Sequence, residues 1–139
     1  MYDAVIERAD SMDIIVKAAA VADYRPKNVS SEKVKKQDGN MSIELERTDD
    51  ILKTLGERKN GQFICGFSME TENMLENSRK KLEKKNCDMI VANNLKQDGA
   101  GFGGNTNIVT LITKDDEVQL EKMTKDEVAE KIFDFILSR

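Results

Sequence analysis

The chain has 139 residues, 39% of them hydrophobic and 35% charged, which makes one domain able to bury roughly two-thirds of its unfolded surface. Its net charge of -4 denies it the positive field of a general nucleic-acid binder. No run approaches the ~18 apolar residues of a membrane span, and MYDAVIERAD lacks the apolar core of a signal peptide. The expectation is a cytoplasmic protein with neither nucleic acid nor membrane as partner.

Residues 1–10 read as an acidic helix. They lead into DIIVKAAA (13–20), an apolar run short enough to be a strand buried on both faces. A nucleotide-binding α/β domain ordinarily begins with a strand, a glycine-rich turn and a helix. None precedes Met1, so an N-terminal strand and turn are expected to be missing. After Pro26, the one proline, a lysine-rich stretch runs to Gly39. Then MSIELERT (41–48) alternates Met41, Ile43 and Leu45 with polar residues, the pattern of a half-exposed strand. EKVKKQDGNMSIELE therefore reads as a hairpin around Asp38-Gly39, able to project as an arm.

Thr48 or Asp49 is the expected cap of a helix over DDILKTLGERK that stops near Asn60-Gly61. QFICGFSM (62–69) reads as a buried strand, TENMLENSRKKLEKKN as a polar helix and DMIVANN (88–94) as a further strand. Strands and helices alternating at this spacing predict an α/β fold, a parallel sheet with crossover helices. Two strands turning at 114–117 follow. TKDEVAEKIFDFILSR closes the chain as an amphipathic helix with Val128, Ile132, Phe135 and Ile136 inward and a Thr124–Glu127 capping box.

Histidine is absent, which removes Ser-His-Asp and Cys-His pairs and the HExxH metal site. Acid–base or electrostatic chemistry falls to Lys, Arg, Asp, Glu and backbone amides. Cys65 and Cys87 lie in apolar runs, too far apart for a CxxC pair, and read as free thiols of a reducing compartment. GAGFGG (99–104) spells the dinucleotide fingerprint, but that motif works as a turn from a strand into a helix. Here a β-rich run follows, so a loop is the better reading, with a non-catalytic NAD or FAD module as the competing one.

The end of the first strand, Ala18 to Asp23, offers small residues at the carboxyl edge of a sheet, where ligands bind. Asp23 there suits a metal–phosphate complex or a base, or the capping of the turn before Pro26. Lys33, Lys35 and Lys36, with Arg25 and Lys27, form a positive patch that fits a triphosphate or a solvated loop. Lys81 and Lys85 share one helix face. Phe67, at the end of a strand, is core or a platform for a base.

AAVADYRP (19–26), EKVKK (32–36), DDIL (49–52), CGFSMET (65–71), a lysine helix, DMIVANN and a GFG-N-N loop occur in this order. The chain thereby resembles, over nearly its whole length, the bacterial phosphopantothenate-cysteine ligases, the carboxyl-terminal half of a bifunctional coenzyme A enzyme. The resemblance implies a Rossmann-like fold and CTP-dependent ligation of cysteine to 4'-phosphopantothenate through an acyl cytidylate, with Mg²⁺. It further implies Lys33 as the catalytic lysine, Ala19 beside the acyl cytidylate, and Asp23 on the nucleotide or its metal. Asp49, Asp50, Ile51 and Leu52 would bind through helix-terminal amides, and Lys17, Ala18, Phe67, Lys81 and Lys85 would complete the CTP site. Residues 34–45 resemble a dimerisation arm and flap, implying a homodimer, and a flavin-dependent decarboxylase is the implied fusion partner. The family's glycine-rich opening, which carries much of the phosphopantothenate site, has no counterpart here. Asn105 stands where the family often has Asp.

Overall fold

A computed structural model describes residues 1–35, 38–70, 72–94 and 104–139. In chain order the elements begin with α1 (Tyr2–Ala9), β1 (Ile14–Lys17), β2 (Tyr24–Pro26), β3 (Leu45–Arg47), α2 (Ile51–Arg58) and β4 (Phe63–Glu70). They continue through α3 (Met74–Lys84), β5 (Met89–Asn94), β6 (Thr106–Asn107), β7 (Val109–Ile112), β8 (Glu117–Gln119), β9 (Met123–Thr124) and α4 (Lys125–Leu137). The main sheet has the order β1-β4-β5-β7-β8. The expected parallel sheet is its first three strands, joined by crossover helices, while β7 and β8 add on antiparallel.

Side chains alternate across β4 and β5. Cys65, Met89 and Val91 meet Val109, Leu111 and the Val128–Ile132–Ile136 stripe of α4 on one face. Ile64 and Ile90 meet Ala9, Leu52, Leu55 and Leu82 from α1, α2 and α3 on the other. Phe135, expected inward, lies at the rim, partly buried. The helix layers come close to the sheet because two positions lack a side chain. A Cβ on Gly66 would stand 2.7 Å from the Leu52 Cδ2, and one on Gly56 only 1.8 Å from the Lys85 carbonyl oxygen. Asp88, just before β5, accepts the Ile64 amide at 2.7 Å and the Lys59 ammonium at 2.5 Å, tying the start of β4 to the end of α2.

Three expectations need correction. The first strand is only Ile14–Lys17 and is half-buried throughout, because among the described residues it pairs with β4 alone; Ala18–Ala20 leave the sheet and are exposed. The hairpin pairs further out than Asp38-Gly39 suggested. Its ladder is Tyr24–Pro26 against Leu45–Arg47, extended by the Lys27 amide to the Glu44 carbonyl. Met41 and Ile43 stay exposed, since among the described residues no layer lies over them to make them core. The cap of α2 is Asp50, which accepts the Lys53 amide at 2.9 Å, rather than Thr48 or Asp49. The Thr124–Glu127 capping box is present in full. The small β6–β9 ladder, which seats the start of α4, had no signal in the residue pattern.

Candidate nucleotide cleft

The parallel strands β1, β4 and β5 point their carboxyl ends the same way, and a cleft of about 410 Å³ opens at the ends of β1 and β4. Its walls are the stretches from Lys17 to Asp23 and from Thr48 to Leu52. Phe67 and Met69 form the floor, and Lys81 and Lys85 close the side. Of the residues expected at a nucleotide site, Lys17, Ala18, Ala19, Asp23, Asp49, Asp50, Ile51, Leu52, Phe67, Lys81 and Lys85 all line it. Lys33 does not. It stands exposed on the arm between β2 and β3, outside the cleft lining. Thr48 and Met69 are additional lining residues. Thr48 has a clear task, donating its amide to the Asp23 carbonyl at 2.9 Å and its hydroxyl to the Ala22 carbonyl at 2.6 Å, which fastens the two walls together. The sequence marks it only as a candidate cap of α2.

The lysines have fixed positions. Lys17 Nζ donates to the Ala19 carbonyl at 3.1 Å and Lys81 Nζ to the Phe67 carbonyl at 2.8 Å, while Lys85 Nζ pairs with Asp50. Burial pushes the Lys81 ammonium below the usual lysine range. Lys17 and Lys85 push it further down, against the pull of Glu70 and Asp50. For Asp50, burial pushes upward. The hydrogen bonds from Lys85 and the Lys53 amide, with the charges of Lys85 and Lys17, more than offset it and hold the carboxyl below its ordinary value. Burial lifts the thiols of Cys65 and Cys87 to about 12 and about 11, so both stay protonated and neither is poised as a nucleophile.

The first two residues of α2, Ile51 and Leu52, have amides with no intrahelical acceptor, and both line the cleft. A helix N-terminus flanked by ammonium groups is an anion site, suited to phosphates. Among the described residues no three Cys, Asp or Glu side chains converge to hold a metal, while the exposed carboxylate of Asp23 lines the cleft. That donor set fits Mg²⁺, which takes one or two carboxylates and completes its shell with phosphates and water. Most of GAGFGG lies outside the described residues. From Gly104 onward the chain enters β6, not a helix, so the dinucleotide motif lacks its required continuation.

The family model for the DNA/pantothenate metabolism flavoprotein C-terminal domain matches residues 1–139. The chain is 55% identical over 115 residues to the coenzyme A biosynthesis bifunctional protein CoaBC of Bacillus subtilis, covering 83% of the chain and 28% of that protein. It thus spans under a third of that relative's length. The crystal structure of a CoaBC C-terminal domain shares 45% identity and superposes with a TM-score of 0.77 over 97% of the chain and 58% of that domain. A Cab2 variant in complex with phosphopantothenate-cysteine shares the fold at 20% identity and TM-score 0.64, over 84% of the chain and 42% of Cab2. The mixed, mostly parallel sheet and the helices on its two faces are therefore those of a known domain. The chain belongs to the DNA/pantothenate metabolism flavoprotein C-terminal domain family.

Proposed function

We propose that this chain binds CTP and carries the ligase chemistry that joins cysteine to 4'-phosphopantothenate in coenzyme A biosynthesis. The observation that carries the proposal is the convergence of Lys17, Lys81 and Lys85 with the open amides of α2 on one cleft. The phosphopantothenate-cysteine in the Cab2 complex and the name of the Bacillus subtilis relative support the substrate and the pathway. In this reading the substrate carboxylate attacks the α-phosphorus of CTP and pyrophosphate leaves. The amine of cysteine then attacks the acyl carbon, expelling CMP and giving 4'-phosphopantothenoylcysteine.

Each residue has a physical task in that sequence. The amides of Ile51 and Leu52 with Lys81 and Lys85 hold the triphosphate. Phe67 and Met69 offer an apolar floor for the base, and Lys17 and Ala18 complete that wall. Ala19, without a bulky side chain, leaves room for the acyl cytidylate. Mg²⁺, held by the phosphates and Asp23, would supply charge neutralisation. Lys33 rides on the arm, and its role requires the arm to lie over a cleft, where its charge would stabilise the pentavalent phosphorus. Val34, Met41, Ile43 and Leu45, exposed on that arm, are the surface through which we read a homodimer. A flavin-dependent decarboxylase as fusion partner and a cytoplasmic location complete the reading.

Isothermal titration with CTP and Mg²⁺ tests it. Heat saturating at one CTP per chain, with none from NAD or FAD, is the expected result. Folded protein that gives no heat with CTP contradicts it.

A further inference from the structure

Lys85 is held at both ends by α2. Its backbone carbonyl sits where a Cβ on Gly56 would be, and the next residue, Asn86, left-handed at φ 51°, donates from Nδ2 to the Gly56 carbonyl at 2.9 Å. Six residues earlier on the same helix, Asp50 accepts the Lys85 ammonium. Six helical residues rise about 9 Å, so the Lys85 side chain lies along α2, 15% exposed, and ends at its N-cap.

An ammonium in that place opposes the helix dipole, whose N-terminus carries roughly half a positive charge. Asp50 holds it there. One carboxylate oxygen takes the Lys53 amide and the other takes Lys85, so the ammonium stands at the helix end that presents the amides of Ile51 and Leu52. A cation and two amides without an intrahelical acceptor are thus gathered at one helix end.

We propose that Asp50 is a positioning residue, whose carboxylate holds the Lys85 ammonium beside the amides of Ile51 and Leu52 so that an incoming phosphate meets a preformed cradle. The inference rests on the nucleotide-binding reading above and gives the Asp50 side chain a task separate from backbone contact. The same logic operates in protein kinases, where a glutamate on a helix must hold the phosphate-contacting lysine in place. Lysine needs such a tether because its charge sits on a flexible four-carbon stem.

Capping and tethering separate by substitution. Asparagine caps as well as aspartate, so Asp50→Asn keeps the cap and removes the tether, whereas Asp50→Glu keeps a carboxylate for Lys85 and weakens the cap. In titrations with CTP and Mg²⁺ and, separately, with inorganic tripolyphosphate, Asp50→Asn is expected to raise Kd about tenfold for both probes with only a modest drop in melting temperature, since the cap is kept and the ion pair lost. Asp50→Glu is expected to stay within about threefold of the parent while melting lower. In the Lys85→Ala background, Asp50→Asn is expected to add no further loss. Equal or tighter binding by Asp50→Asn, or full additivity with Lys85→Ala, overturns the proposal. A parent protein that binds neither probe overturns the nucleotide reading itself, whereas binding by the parent that Asp50→Asn matches overturns only the tether.

Discussion

Lys81 on α3 reaches across to the end of β4 and donates its ammonium to the carbonyl of Phe67 at 2.8 Å. A half-buried cation thus lines the cleft, oriented by a backbone oxygen in place of a carboxylate. Its charge is left largely for a ligand. Burial, with help from Lys17 and Lys85, has lowered its pKa, so it deprotonates below the ~10.4 of a free lysine. CTP affinity is expected to fall on the alkaline side before that value, and the fall should vanish in Lys81→Arg, whose guanidinium stays charged. A Lys81→Arg variant whose affinity falls over the same alkaline range as the parent's contradicts this. The sign for stability is opposite. Between the folded and unfolded pKa values the unfolded chain binds more protons, so this group favours the fold increasingly as pH rises through that window. Lys81→Met should therefore melt no lower than the parent at neutral pH while binding CTP at least tenfold more weakly.

Gly56 has no room for a methyl group, because its Cβ would meet the backbone carbonyl of Lys85 and not the movable end of a side chain. Gly56→Ala is expected to cost roughly 2–3 kcal/mol, at the upper end of overpacking effects, despite alanine's better helix propensity. Chemical denaturation measures it. Because the same contact seats Lys85, weaker CTP binding should accompany the lost stability.

Thr124 caps α4 by accepting the Glu127 amide at 3.2 Å, while Glu127 accepts the Thr124 amide at 2.8 Å. Thr124→Ala should remove about 1 kcal/mol of stability and leave CTP affinity unchanged, since α4 packs on the sheet through Val128, Ile132 and Ile136 and contributes no cleft residue. A change in CTP affinity at this position would show that the cleft depends on elements far from it.

Lys33 and the cleft lysines should separate in kinetics. Because Lys33 stands on the arm outside the cleft lining, Lys33→Ala is expected to bind CTP within a few-fold of the parent, whereas ligation of cysteine in the full-length enzyme falls by at least two orders of magnitude. Near-normal turnover by that variant would remove Lys33 from the chemistry.

Much of the fold was legible in the sequence where a local pattern decides the structure. FICGFSM and DMIVANN are apolar on both faces because they become the central strands β4 and β5, and the Thr124–Glu127 box needs only four residues to form. DIIVKAAA has the same apolar character yet becomes a half-buried strand, since an apolar run cannot report how many neighbours it will have. Met41, Ile43 and Leu45 alternate as a strand should, and the pattern marks an apolar face without saying what covers it. Asp49 and Asp50 are both good caps, and only the entry angle of the chain selects Asp50. The candidate site was legible mainly through family resemblance. Lys17, Asp50 and Lys85 lie far apart in sequence; the pairing of β1 with β4 sets Lys17 at the carboxyl edge, and the close approach of Lys85 to Gly56 of α2 lets its side chain reach Asp50. Lys33 remained out of reach of such reasoning because the position of an arm over a cleft is a property of tertiary or quaternary docking.

A crystal structure of the protein with CTP and Mg²⁺ tests the central claim most directly. The triphosphate is expected on the amides of Ile51 and Leu52, within hydrogen-bond distance of Lys81 and Lys85, with the base against Phe67 and the metal beside Asp23. CTP bound elsewhere on the molecule, with this cleft left empty, would contradict the account.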